Sequence, residues 1–317
     1  MIRHVERPGT RFKDRLDPKV SDWIQPYGLV ETFDAAILGA PLSKTSISHS
    51  AASRLPDAIR TTFHTYSPYN INHQLDLSRD IQVVDIGNVK MHMTDLPRCQ
   101  QLIEDAVGSY WEHHSAPLVV LGGDHSVTGA SVLGLTRATK NKFGIIHFDA
   151  HHDVRNFEDG GRTNGTPFRT ILESGAVSGK HVVQIGLRDF VNAKAYHEYV
   201  LGHGVTVFTA RQVFKLGLSA ILHEAMKIAG TDTDAIYVSF DMDVLDQSFV
   251  PGVPAPSPGG LTTWDAMEAL EWLGMQKHVQ VLDIVCADPT QDVRDLTTRV
   301  ASNLMLSFLT GLALRKR

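Results

Sequence analysis

The sequence predicts an α/β fold built on a mostly parallel sheet of about eight strands, and three observations carry that reading. Short apolar runs rich in Val and Ile recur along the 317 residues, each followed by a segment whose apolar positions have helical spacing. Hydrophobic residues make up 43% of the chain, ample for a sizeable core. No Ser/Gly/Pro linker, composition break or repeat of fixed period divides it. One domain over 1–317, with 1–33 as an N-terminal extension packed on it, is therefore the simplest organisation.

The strands are expected, in order, at Ala35–Leu38, Ile81–Ile86, Pro117–Leu121, Phe143–Phe148, Val182–Ile185, Val205–Phe208, Ala235–Phe240 and Val279–Val285. Continuous apolar runs of this length mark strands buried on both faces. Between them, Cys99, Leu102, Ile103, Ala106 and Tyr110 share one helical face, started by Thr94 or Asp95 as cap with Pro97 in the first turn. Leu296, Val300, Leu304 and Phe308 form a similar stripe near the C-terminus. The segment "VPGVPAPSPGG", Val250 to Gly260, reads as an active-site loop or an ordinary connection, and "LTTWDAMEALEWL" restarts a capped helix behind it.

Bulk properties narrow the function. A formal net charge of -5 argues against nucleic acid, which is met by a basic face, and favours a small-molecule partner. The two cysteines, Cys99 and Cys286, are far apart and form no CxxC pair, so neither a disulfide framework nor a thiolate zinc site is expected. The opening "MIRHVERPGTRFKDR" lacks the apolar core of a signal peptide, and no window reaches the ~18 apolar residues of a membrane span. A cytoplasmic protein is expected.

Ligands of open α/β sheets bind beyond the carboxyl ends of strands, so polar residues directly after apolar runs are informative. Three runs end alike. "PLVVLGGDHS" delivers Asp124 and His125, "GIIHFDAHHD" delivers Asp149, His151, His152 and Asp153, and "AIYVSFDMDVLD" delivers Asp241, Asp243 and Asp246. Alternation along an extended chain would set Asp149, His151 and Asp153 on one side, and Asp241 with Asp243. Carboxylates so crowded repel one another and raise their own pKa values, a cost that a multivalent cation removes. Histidine with several carboxylates and no thiolate favours an oxygen-rich, roughly octahedral ion such as Mn²⁺ over structural Zn²⁺, while softness alone leaves Ni²⁺, Co²⁺ and Zn²⁺ open. Six ligands, His125, Asp149, His151, Asp153, Asp241 and Asp243, are too many for one ion that also keeps a water, whereas two ions sharing carboxylates fit the count. His152 is set outside this group, and His147, two residues before the strand end, is weighed as a core histidine.

The motifs "GGDHS", "FDAHHD" and "SFDMDVLD" resemble the three signatures of the arginase, agmatinase and formimidoylglutamase family, the ureohydrolases. Further segments, "GAPLSKTSISHSAASRLPDAIR", "DVRNFEDGGRTNGTPFR" and "VLDQSFVPGVPAPSPGGL", look most like the formimidoylglutamase branch. The resemblance implies a three-layer αβα sandwich, assembled as a trimer or hexamer, with two Mn²⁺ per chain. One ion would take His125, Asp149, Asp153 and Asp241; the other would take Asp149, His151, Asp241 and Asp243. The implied reaction is hydrolysis of a linear amidine, N-formimino-L-glutamate, to L-glutamate and formamide, with Asp153 as the proton-carrying catalytic residue. Arg155, Asn156, Asn164 and Cys286 are the expected substrate contacts, with Lys44 and Arg188 as weaker ones. Two positions depart from the family pattern. Asn164 stands where many members have a shuttling histidine, and Cys286 where many have a glutamate that holds a guanidinium. An agmatinase-like or guanidino-acid hydrolase is the same-class alternative, and a metal-binding relative without catalysis is the other.

Overall fold

The computed structural model describes residues 11–317; the first ten, part of the expected extension 1–33, lie outside the described residues. Among the described residues eleven strands form. In chain order they are β1 (Gln25–Pro26), β2 (Ala35–Ala40), β3 (Tyr69–Asn70), β4 (Leu75–Asp76), β5 (Val83–Asn88), β6 (Leu118–Gly122), β7 (Phe143–Phe148), β8 (Val182–Leu187), β9 (Thr206–Thr209), β10 (Ala235–Asp241) and β11 (Val279–Val285). β3 and β4 make a small antiparallel pair. The other nine form one sheet in the order β1-β5-β2-β6-β11-β10-β7-β8-β9. Every pairing in it is parallel. All eight expected strands are present, each within two residues of its expected bounds. The ninth, β1, lies in the expected extension and has no apolar run to announce it.

Helices cover both faces, as an all-parallel sheet requires, because each crossover must travel over a face. Alternation divides each strand between two cores. From β10, Ile236, Val238 and Phe240 enter one core with the helices Leu218–Gly230, Thr263–Met275 and Leu296–Leu314. Ala235 and Tyr237 enter the other, with Leu96–His113, Ser126–Ala138 and Pro167–Glu173. Capping is as the sequence predicts: the Asp95 carboxylate accepts from the Arg98 amide, and Thr262 and Asp265 close a reciprocal capping box. Among the described residues no helix is long and apolar enough to cross a membrane.

Chain order explains how the site is assembled. β10 and β11 come last but sit at the centre, so β6, β11, β10 and β7 are contiguous. In register, Leu121, Ile284, Phe240 and Phe148 form one row across these strands. The candidate ligands of the three motifs all lie just beyond that row. A second row lies one residue below it on the face of Tyr237: Gln184, His147, Ser239 and Asp283 are direct register neighbours on β8, β7, β10 and β11. All four are fully buried polar side chains.

Candidate metal centre

The first motif turns on its glycines. A Cβ on Gly123 would lie 1.7 Å from the Leu42 carbonyl oxygen, so only glycine lets the segment after β2 pass this close. Asp124 then fixes the turn: its carboxylate accepts from the Ser126 amide at 3.0 Å, the Ser126 hydroxyl at 2.6 Å and the Thr45 amide at 3.2 Å. Its partners are all turn groups, and it stays outside the donor cluster. His125 follows, fully buried at the start of the helix Ser126–Ala138.

The His125 Nδ1 is the focus of the site. It lies 3.1 Å from Asp149 Oδ2, 2.8 Å from Asp153 Oδ2 and 3.1 Å from Asp241 Oδ2, yet lines up with none of them as a hydrogen bond. A second group forms around His151, whose Nδ1 is 3.3 Å from Asp149 Oδ1 and 3.1 Å from Asp243 Oδ2. Within each group the donor atoms lie within 4.8 Å of one another. Asp149 belongs to both, with one oxygen in each. Asp241 lies in the first, and its other oxygen accepts from the Asp243 amide at 2.8 Å.

All six expected ligand residues thus come together, but not along an extended chain. Asp149 accepts from the His151 amide at 2.6 Å, closing a tight turn, and Asp153 has a left-handed backbone at φ 52°. These turns, and a bond from the Ala150 amide to Asp243 Oδ1 at 3.2 Å, bring the side chains to a common point.

Electrostatics agree with a cation site. Burial pushes His125 and His151 down, but the surrounding carboxylates outweigh it and hold His125 well above its ordinary value and His151 up at about 12. Burial and then the Asp243 and Asp149 charges raise Asp241 well above the carboxylate range. Burial and then Asp149 raise Asp153 to about 6. Like charges confined together take up protons unless a metal supplies the positive charge. The unpartnered Nδ1 and its ring of oxygens therefore fit a divalent ion with mixed N/O donors. Cys286 also reaches the first group, but burial and then the Asp241 and Asp243 charges push its thiol well above its ordinary value, so it stays neutral.

Other expected residues are distributed differently. Among the described residues, Arg155 makes no side-chain hydrogen bond or ion pair; its exposed side chain runs past Gly165, where an added Cβ would sit 2.7 Å from Arg155 Cδ. The Asn156 amide donates to Asp159 at 2.8 Å, and Asn164 Oδ1 accepts from the Ile47 amide at 3.0 Å, so both brace loops. Arg188 is buried and spends its guanidinium on the Asp243 and Leu245 carbonyls and the Ser257 hydroxyl. Lys44 donates to the His92 carbonyl at 2.8 Å. His152 points away from the donors, to Gln184 at 2.7 Å and His197 at 3.0 Å.

The lower polar row holds residues that motif reading missed. His125 Nε2 lies 3.1 Å from Ser239 Oγ, and the Ser239 hydroxyl donates to Asp283 at 2.9 Å. Thr128 and Tyr237 also donate to Asp283, at 2.6 and 2.7 Å. With its hydroxyl proton committed to Asp283, Ser239 accepts from His125 Nε2–H, so Nδ1, once it gives up its own proton, can present its lone pair to a cation among the oxygens. The signal was present: Asp283 and Gln184 are polar residues inside otherwise apolar strands.

A parallel α/β sheet whose central strand ends gather histidines and carboxylates defines a class of α/β protein with a cluster of nitrogen and oxygen donors that could hold metal ions. Within that class the comparisons are specific: residues 33–311 match the Arginase family, and the chain belongs to it. It is 42% identical over 308 residues to formimidoylglutamase from Halalkalibacterium halodurans, covering 97% of this chain and 96% of that one. The crystal structure of formimidoylglutamase from Bacillus subtilis superposes with a TM-score of 0.94 at 38% identity, covering 98% and 97% of the two chains. Trypanosoma cruzi formiminoglutamase, solved with two Mn²⁺, superposes with a TM-score of 0.86 at 26% identity, covering 94% and 99%.

Proposed function

We propose that this chain is an amidine hydrolase that converts N-formimino-L-glutamate and water to L-glutamate and formamide, with two Mn²⁺ as cofactors. The observation that carries the reading is the division of Asp149, whose two carboxylate oxygens face two separate donor groups. His125, Asp149, Asp153 and Asp241 would hold one ion, and Asp149, His151 and Asp243 the other, with Asp241 as a second shared ligand. Formimidoylglutamases 42% identical in sequence and 0.94 in TM-score support the substrate. When bound, such a pair supplies a water activated near neutral pH.

The chain's own residues supply the rest. Asp153, whose Oδ2 lies 2.8 Å from His125 Nδ1 in the first donor group, is placed to hold a proton on its carboxyl and hand it to the departing glutamate nitrogen. The free guanidinium of Arg155 offers a planar fork to a substrate carboxylate. Asn164 and Asn156 support that reading indirectly, by bracing the loop that carries Arg155. Cys286 places a neutral, weakly accepting thiol beside Asp241, which suits a formimino group better than a guanidinium with its larger set of donors. One undivided domain in the cytoplasm completes the reading. Self-association as a trimer or hexamer draws support from Phe190 and Phe214, exposed together on one apolar patch.

The test is a product assay on Mn²⁺-loaded protein offered formiminoglutamate, agmatine, guanidinobutyrate and arginine side by side. Formamide and glutamate are expected. Urea from a guanidino compound, with formiminoglutamate untouched, would replace this reading with a guanidine hydrolase; no turnover of any substrate by fully metallated protein would favour the non-catalytic alternative.

A further inference from the structure

The buried polar row contains a hydrogen-bond chain whose direction can be worked out atom by atom. Gln184 Nε2 lies 2.9 Å from the His152 carbonyl oxygen and 3.1 Å from His147 Nδ1, while Gln184 Oε1 lies 2.7 Å from His152 Nδ1. A backbone carbonyl only accepts, so the NH₂ end of the amide must face it. That fixes the amide. His147 Nδ1 then receives the second Gln184 proton, so a neutral His147 ring carries its own proton on Nε2, 2.8 Å from Asp149 Oδ2. On the other side His152 carries its proton on Nδ1 for Gln184 Oε1, and its Nε2 accepts from His197 Nδ1 at 3.0 Å. Phe168, stacked on the His147 ring at 3.8 Å and 22°, keeps that ring from swinging away.

We propose that Gln184 is a positioning residue for the metal centre: by fixing the tautomer of His147 it directs one N–H onto Asp149 Oδ2 and aims the bridging carboxylate. The opposite tautomer would turn a ring lone pair onto a carboxylate oxygen, which is repulsive, and Asp149 would rotate. The His151 amide already holds Oδ1 at 2.6 Å, so one donor on each oxygen sets the carboxylate plane and leaves a lone pair on each for a cation. His152 acts one step back, by keeping the amide from flipping. The chain reaches the surface at His197, which is exposed on the helix Lys194–Gly202. This inference rests on the metal-centre reading above.

The test begins with the unsubstituted chain, labelled with ¹⁵N at histidine and assigned through His147→Asn. His147 is expected to show a protonated Nε2 and an unprotonated Nδ1; a proton found on Nδ1 would overturn the proposal whatever the variants do. Calorimetric titration with Mn²⁺ follows. Gln184→Met should bind roughly ten- to a hundredfold more weakly, the usual cost of losing an outer hydrogen-bond partner. His152→Phe should move in the same direction, whereas His152→Asn, whose amide nitrogen replaces Nδ1–H, should stay within about threefold of the parent. Gln184→Met with parental affinity, or His152→Asn as weak as His152→Phe, would show that these residues only fill space. Failure of the unsubstituted chain to bind Mn²⁺ would instead bring down the metal-centre reading, and this one with it. Should Gln184→Met fail to fold, the parental spectrum and the two His152 variants still decide.

Discussion

Asp149 carries more of the site than any other side chain, because among the described residues it is the one shared by both donor groups. Asp149→Ala should lower turnover by ~1,000-fold or more, since the activated water is lost. Metal analysis should show at most one ion retained at saturating Mn²⁺. His152→Ala should cost only about tenfold in affinity, as an outer partner does. Equal losses in the two variants would sink the assignment of His152 to the outer chain. Cys286 is the residue to change for specificity. A guanidinium left with poorly paired donors in a dry site loses ~1–3 kcal/mol, roughly ten- to a hundredfold in binding. Cys286→Glu should therefore shift the preference toward a guanidino compound by about that factor, read as a ratio of kcat/KM values; an unchanged ratio in metallated protein would mean that the thiol only packs. The six donors were legible in the sequence because each follows an apolar run within a few residues. The outer residues were not. His147 reads as core, and Gln184 and Asp283 stand out only as single polar residues in apolar strands, whose membership of one row depends on the strand order.

At the scale of elements, legibility follows burial. Strands buried on both faces announce themselves as continuous apolar runs, and all eight were placed to within two residues. β1, Gln25–Pro26, was missed because an edge strand of two residues needs no apolar signal and its proline is tolerated where one side lacks a partner. Helix pairing was not legible at all, since it depends on glycines whose role is to be small. The helices Thr263–Met275 and Leu296–Leu314 meet backbone to backbone: a Cβ on Gly311 would lie 2.1 Å from the Glu271 carbonyl oxygen, and one on Gly274 2.3 Å from that of Phe308. Gly311→Ala should force the helices apart and destabilise the fold by ~1–3 kcal/mol. Urea unfolding measures this; a variant as stable as the parent would show that the crossing has room to relax.

For the molecule as a whole, cation binding and stability are one equilibrium. Free Mn²⁺ at a hundredfold excess over its Kd should add about 2.7 kcal/mol to folding, and a chelator should remove it, both read as a shift in Tm. The pH dependence has a definite sign. The carboxylates hold protons on His125 and His151 well above the ordinary imidazole range, and a ligating nitrogen must give its proton up. Mn²⁺ affinity should therefore rise with pH, roughly tenfold per unit for each proton displaced, from about pH 6 to about pH 8. Protons should appear in the medium on titration. A flat profile with no proton release would mean that the imidazoles are already neutral before the cation arrives.

The central placement of the last two strands has a consequence for synthesis. A nascent chain that ends before Ala235 can pair β1, β5, β2 and β6 into one half-sheet and β7, β8 and β9 into another, but nothing joins the halves. Each half then shows a bare inner edge, and bare parallel edges are slow to find partners and prone to find wrong ones. Neither donor group is complete at that stage, because Asp241 and Asp243 arrive with β10. On the proposed reading, cation capture waits for β10, so a metallated chain is one in which the joining of the two halves has begun. A ribosome that stops before Asp241 releases a product with two open edges and incomplete donor groups that Mn²⁺ cannot rescue.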